Sequence, residues 1–194
     1  MKTRENILET ALDLFNHQGT AAVSTNHIAA AAGISPGNLY YHFRNKEDII
    51  RGIFDVMEAA SRDGFCTLTG DMSNLGMDVF EETFRFICQF NERFSFFKRE
   101  LPVLVLRDQK LKERFQVVHQ ETLGLIRTLV DATVDSGVLS PLSDRDRNLL
   151  AEMCWMLTLF WPNYLMVSGQ ENLEEGLEQG IEIIRLLLHG FKTT

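Results

Sequence analysis

Residues 24–46 read Ser-Thr-Asn-His-Ile-Ala-Ala-Ala-Ala-Gly-Ile-Ser-Pro-Gly-Asn-Leu-Tyr-Tyr-His-Phe-Arg-Asn-Lys, and their spacing predicts two short helices joined by a tight turn. Ser24 or Thr25 offers the side-chain oxygen that caps the first helix, and Ile28 with Ala29 to Ala32 is expected to pack inward. Gly33 is the residue type that ends a helix in the left-handed region, and Ile34 plugs the corner. Ser35 caps the second helix. Pro36 follows in its first turn, where a missing N–H costs nothing. Leu39 and Phe43, four apart, face the core and leave Gly37, Asn38, Tyr41 and His42 pointing outward. A short helix with apolar anchors inside and polar or aromatic residues outside is the recognition half of a helix-turn-helix.

The flanking sequence continues in helical periods. Upstream, residues 3–18 place Ile7, Leu8, Ala11, Leu14 and Phe15 on one face, and Gly19 ends the run. Downstream, Asn45 caps a fourth helix from Lys46 to about Leu68, carrying Ile49, Ile50, Ile53, Phe54 and Met57. Residues 64–78, rich in Gly, Ser, Thr and Asn, read as a helix end and loop. Five further helices are expected over 75–93, 95–106 (broken or bent near Pro102), 109–136, 144–168 and from Gln170 or Glu171 to about Gly190. Strand-like alternation is scarce, so the fold class is all-α, with about nine helices.

The 194 residues can bury a substantial core. The net charge of −8 is unevenly spread. Residues 1–52 carry five bases and five acids together with His17, His27 and His42, so the whole deficit lies in the remainder. An acidic body with a neutral, locally basic head can present that head to phosphate. The run Met153–Val167 is too short to span a bilayer, and no signal peptide opens the chain, so a cytoplasmic protein is expected. Cys66, Cys88 and Cys154 are scattered and read as reduced thiols. Nucleophile elbow, phosphate-cradling loop, paired carboxylates and metal-spaced ligands are all missing from the pattern. An enzyme is therefore not expected, and neither is a cofactor or a metal.

The eighth helix is apolar nearly all round between Met153 and Trp161, and the ninth has a broad apolar face with Gly176 and Gly180 four apart. A helix apolar on every side must be covered on every side. The simplest cover is the same pair from a second copy, giving a two-fold, four-helix interface through Trp155, Leu159, Leu177, Ile181 and Ile184. Lys98-Arg99-Glu100 and Arg107-Asp108 are expected to flank a buried turn over 101–106.

Residues 1–55 resemble the tetracycline-repressor (TetR) family of bacterial transcriptional regulators. The resemblance rests on Thr25, Ile28-Ala29, Gly33-Ile34-Ser35, Leu39-Tyr40-Tyr41-His42-Phe43 and Lys46-Glu47. It implies a DNA-binding head, residues 1–50, and an effector-binding and dimerisation body, residues 51–194. It also implies a homodimer on a palindromic double-stranded operator, released when a small molecule enters the body. By the same resemblance Pro36, Gly37, Asn38 and Tyr41 reach base edges, and Thr25, Tyr40, His42 and Lys46 contact phosphate, as their donors allow. Asn26 and His27 are further candidates. The Met- and Phe-rich body suits an apolar or amphipathic effector, with Phe84, Cys88, Phe97, Phe115, His119, Met153 and Met156 as candidate lining. The alternative is a DNA-binding protein whose body only dimerises and senses no ligand.

Overall fold

The computed structural model describes residues 2–68, 77–170 and 172–190, and among these every regular element is a helix. The order is α1 (Lys2–Gln18), α2 (Thr25–Ala31), α3 (Pro36–His42), α4 (Lys46–Leu68), α5 (Met77–Arg93), α6 (Ser95–Arg107), α7 (Gln109–Asp135), α8 (Asp144–Ser168) and α9 (Leu173–His189). The helix end and loop expected over 64–78 begin with the end of α4, which runs to Leu68, and α5 starts at Met77. The rest of that loop, the side chain of Cys66 and residue Glu171 lie outside the described residues. Pro102 does not break α6: its position is exposed, and the helix continues to Arg107. The only backbone N–H sacrificed there is its own.

The chain forms two compact units. The first comprises residues 1–62 and 94–114; the second comprises 63–93 and 115–194. The first therefore extends past the expected boundary at residue 50 and includes all of α6. Two helices, α4 and α7, begin in the first unit and end in the second.

In the first unit, α1 to α4 bury Ile7, Phe15, Ile28, Leu39, Ile49 and Phe54 with essentially no exposed surface. Each such side chain contributes about 1.5–3 kcal/mol of burial. Helix α6 completes this core: Phe96 packs on Phe15 with ring centroids 5.2 Å apart, and Phe97 stacks on Phe54 at 5.3 Å. The expectation of a buried 101–106 turn holds only for Leu101 and Leu104. Val103 and Leu106 are exposed, because a helix against one core turns only one stripe inward. Likewise, only Ile28 and Ala29 of α2 are buried; Ala30 and Ala31 face out.

In the second unit, α5, α7, α8 and α9 surround a core that includes Phe84, Val130, Leu139, Leu150, Trp161 and Ile181. Gly180 lies against α5 and α8: a Cβ there would stand 2.4 Å from the Phe84 ring and 2.8 Å from Trp161 Nε1. Gly176 sits against Leu165, and its carbonyl accepts from Trp161 Nε1 at 3.0 Å. The two glycines thus serve close packing within one chain. Gly64 of α4 does the same for Phe86, whose ring would lie 1.9 Å from an added Cβ. Glycine costs a helix interior about 1 kcal/mol. At these positions the close approach of Phe84 and Trp161, of Leu165, and of Phe86 offsets it.

Candidate nucleic-acid interface and body pocket

Local chemistry builds the α2–turn–α3 unit. Ser24 caps α2 by accepting from the His27 N–H at 3.2 Å, and the Ser24 N–H donates back to His27 Nδ1 at 3.4 Å. A histidine thus fills the place that Glu or Gln takes in a capping box. Gly33 sits at φ +68°, and the Ile34 N–H closes on the Ala29 carbonyl at 3.0 Å, which fixes the turn. Ser35 then caps α3 by accepting from the Asn38 N–H at 3.2 Å. Leu39 and Phe43 are buried, which fixes the outward face of α3.

That face carries Pro36, Gly37, Asn38 and Tyr41, all exposed, with Tyr41 84% accessible. An aromatic ring so bare on a well-anchored helix is available for contact rather than for folding. The half-buried His42 meets the Tyr41 ring edge-on at 5.1 Å. Thr25 Oγ1 and the Tyr40 hydroxyl hydrogen-bond at 2.9 Å, joining α2 to α3 and presenting two hydroxyls side by side. Asn26 and His27 are both exposed, His27 within the α2 cap. Lys46 is placed differently from a free phosphate ligand. Its ammonium donates to the Thr20 carbonyl and, at 2.9 Å, to the Val23 carbonyl, so it anchors the α1–α2 connection with two of its three protons. Asn45 Oδ1 accepts from the Asp48 N–H at 2.8 Å to cap α4, and Asp48 in turn accepts from the Arg44 N–H.

A second set of contacts holds this head together, and sequence reasoning missed it because its partners are far apart in the chain. Glu100 accepts from both the Thr20 N–H and its hydroxyl, while Arg99 donates to the Phe15 carbonyl at 3.1 Å, at the end of α1. Asn16 Oδ1 accepts from the Phe96 N–H at 3.0 Å. Arg51 of α4 bridges Asp48 and Asp108. Asp108 also caps α7 by accepting from the Lys110 and Leu111 N–H groups at 3.0 and 3.2 Å. Arg51's guanidinium holds the Asp48 carboxyl below its usual range. Arg114 pairs with Asp55 and Glu58 and lies over the Phe54 ring at 5.1 Å. The charges expected only to flank a buried turn thus tie α6 and the start of α7 to α1 and α4.

The body residues divide in a way that corrects several expectations. Phe84 is buried in the second unit's core, with Cys88 packed against it. Phe115 and His119 are half-buried, and the His119 ring packs on Trp155 at 4.2 Å. Phe97 belongs to the first unit, stacked on Phe54, and is not part of this group. Met153 and Met156 face outward, 38% and 49% accessible. They line an open groove of about 450 Å³ with Leu157, Phe160, Trp161, Tyr164 and Leu187. Of the expected interface, Leu159, Ile181 and Ile184 are buried within their own chain, so nothing is left for a second copy to cover. Trp155 and Leu177 are partly buried against the same core. The apolar surface that does remain runs along α8 through Leu149, Met153, Met156, Phe160, Tyr164 and Val167, with Leu186 on α9. The spacing of three and four selects one helical stripe.

Burial raises the thiols of Cys88 and Cys154, to about 12 and about 11, so both are protonated and unreactive. Among the described residues no cluster of His, Cys, Asp or Glu is arranged to hold a metal, and no helix is long and apolar enough to cross a membrane.

Residues 7–53 match the family model described as bacterial regulatory proteins, tetR family, and residues 66–194 match one described as bacterial transcriptional repressor. The HTH-type transcriptional regulator AcrR of Shigella flexneri is 41% identical over 58 residues, which are 30% of this chain and 27% of AcrR. The match thus spans under a third of that relative. The crystal structure of a TetR-family transcriptional regulator from Marinobacter aquaeolei VT8 superposes with a TM-score of 0.86 at 31% identity. That similarity covers all of this chain and 92% of the other. A SmeT–triclosan complex shares the fold, with a TM-score of 0.69 at 21% identity over 100% and 93% of the two chains.

Proposed function

The chain belongs to the TetR family of bacterial transcriptional regulators, and from that premise we propose that it is a repressor that binds a palindromic operator as a homodimer. On this reading a small apolar or amphipathic molecule entering the second unit releases the operator. The observation that carries it is the outward face of α3, where the bare Tyr41 ring stands beside exposed Asn38 and the paired Thr25 and Tyr40 hydroxyls. In a major groove Asn38 pairs with adenine, and Tyr41 contacts a thymine methyl or a base edge. Gly37 lets the backbone approach. Thr25, Tyr40 and His42 bind phosphate, and Lys46 adds its third proton.

The outer stripe of α8 supplies the contact between copies. A continuous apolar face on a soluble helix is covered by a partner, and in a closed two-fold dimer the same face covers itself. The two recognition helices must then stand about 34–36 Å apart, one turn of DNA. Effector response enters through α4 and α7, which start in the first unit and end in the second. A ligand that shifts the far end of either changes the half-site spacing. The usual coupling of 1–3 kcal/mol changes affinity by roughly 5- to 150-fold. That SmeT, a protein of the same fold, forms a complex with triclosan supports a body built to admit a small apolar molecule.

Selection from a random duplex library, with sedimentation of wild type and Phe160→Glu, tests the reading. An inverted repeat bound by wild-type dimer, with log K falling against log salt, is the expected result. Phe160→Glu should sediment as a folded monomer with weakened operator binding. Failure of the folded, refolded and ligand-stripped protein to enrich any sequence at low salt would refute the reading.

A further inference from the structure

The connection between α1 and α2, residues 19–24, is gripped by two side chains of opposite charge. From α6, Glu100 accepts from the Thr20 N–H at 3.0 Å and from the Thr20 hydroxyl. From the start of α4, Lys46 donates to the Thr20 carbonyl and, at 2.9 Å, to the Val23 carbonyl. Thr20 and Val23 are both buried, so the connection is pinned rather than looped through solvent. Its entry leaves room for the acid: a Cβ at Gly19, which sits at φ +78°, would stand 3.1 Å from Glu100 Oε1. The neighbouring Arg99 donates to the Phe15 and Asn16 carbonyls at 3.1 and 3.3 Å, at the end of α1, where a cation is favoured. Immediately past Val23 come the Ser24 cap and Thr25, whose hydroxyl pairs with that of Tyr40 at 2.9 Å. An acid gains nothing from phosphate, so a carboxylate built into this unit calls for a role other than contact.

We infer that Glu100 is a positioning residue for operator binding: by fixing Thr20 it sets where α2 starts, and so where the Thr25 and Tyr40 hydroxyls meet phosphate. This rests on the operator-binding reading above and adds to it a residue of α6 that itself makes no contact with DNA. Phosphate contacts fix the register of a protein on the duplex, and a hydroxyl serves only within hydrogen-bond reach. The groups behind such a contact hold it to that precision. Thr25 follows Thr20 by only five positions, and the bonds to Glu100 are charge-assisted, the stronger kind. Without them Thr20 keeps Lys46 alone, on its carbonyl side, and the start of α2 is free to shift. Base choice is spared, because Asn38 and Tyr41 stand on α3, which is anchored by Leu39 and Phe43.

The test measures the affinity of the full-length protein for the duplex recovered by selection, with Glu100→Ala, Glu100→Gln and Thr20→Val each checked for retained helical circular dichroism. The sign of the change is diagnostic. An acid acting only through its charge would repel DNA, and its removal would tighten binding. Positioning requires the reverse: Glu100→Ala should bind about tenfold more weakly, since a two-fold dimer loses a phosphate hydrogen bond in each half-site. Glu100→Gln keeps an acceptor for Thr20 and should fall between Ala and wild type. Thr20→Val, which loses the hydroxyl alone, should weaken binding in the same direction and keeps the test decisive if Glu100→Ala does not fold. A double-mutant cycle separates positioning from lost stability: Thr25→Ala should cost less affinity in the Glu100→Ala or Thr20→Val background than in wild type. An equal cost in both backgrounds, or Glu100→Ala or Thr20→Val binding as tightly as wild type, overturns the inference and leaves the repressor reading standing. Failure of wild type to select any sequence overturns both.

Discussion

Asp108 performs two jobs at the α6–α7 junction, and substituting it in two ways separates them. One carboxylate oxygen caps α7 at Lys110 and Leu111, and the other accepts from Arg51 of α4. Asp108→Ala removes both. Loss of the cap costs about 1 kcal/mol. The charged contact is mostly shielded, with side-chain exposures of 18% for Arg51 and 10% for Asp108. Its loss costs about 1–2 kcal/mol more, held down because Arg51 retains Asp48 and is not left as an unpaired charge. The total is about 2–3 kcal/mol. Asp108→Asn keeps an oxygen for the cap and loses only the charge, so it should cost about 1 kcal/mol less than the alanine. Urea unfolding at one fixed protein concentration measures both, since self-association would otherwise move the midpoint. If Asn proves as costly as Ala, the cap contributes nothing. If neither exceeds about 0.5 kcal/mol, the α4–α7 bridge is not formed in solution and the reasoning fails.

Tyr41→Ala should change which base pairs are preferred in a library selection while overall stability stays put; unchanged preference would remove Tyr41 from the base-reading set. Lys46→Ala should weaken all sequences alike, reduce the salt slope by about 1 and also lower stability, because two carbonyls lose their donor. A purely DNA-facing lysine would leave stability untouched. Gly180→Ala should destabilise by about 1–3 kcal/mol, as its methyl meets the Phe84 and Trp161 rings; a neutral effect would show that α9 can back away at no cost. Acid should expose the Arg51–Asp48 contact. Asp48's folded pKa lies below its ordinary value of 3.8, so its contribution is present above that pH and is lost as pH falls through the folded value. Arg51→Gln should flatten this loss of stability below about pH 4, and an unaltered acid profile would contradict the assignment.

Much of the head is legible in the sequence because its determinants are local. Ser24, Gly33, Ser35 and Asn45 act within four residues of themselves, and Leu39 with Phe43 sets the inward face of α3 by spacing alone. Side-chain destinations in the body are not legible in the same way. A period of 3.6 shows which residues of α8 share a face, but a helix apolar all round leaves open which face meets its own chain. Hence Leu159 and Ile184, expected at a partner's surface, lie inside, while Met153 and Met156, expected to line an inner pocket, lie outside. Phe97 fails for a related reason: nothing in its neighbourhood reveals that it completes a core begun eighty residues earlier.

The first compact unit is discontinuous along the chain, with residues 94–114 returning to finish what residues 1–62 begin. A fragment ending at residue 62 would lack Phe96 and Phe97, the Glu100 hold on Thr20 and the Asp108 hold on Arg51. During synthesis these contacts cannot form until residue 108 has left the ribosome, so this core is completed late. The same arrangement governs engineering. A chimera that transplants only the N-terminal helices onto another body inherits foreign partners for Phe15, Thr20 and Arg51. Moving both segments together carries the exposed face of α3 with its own support.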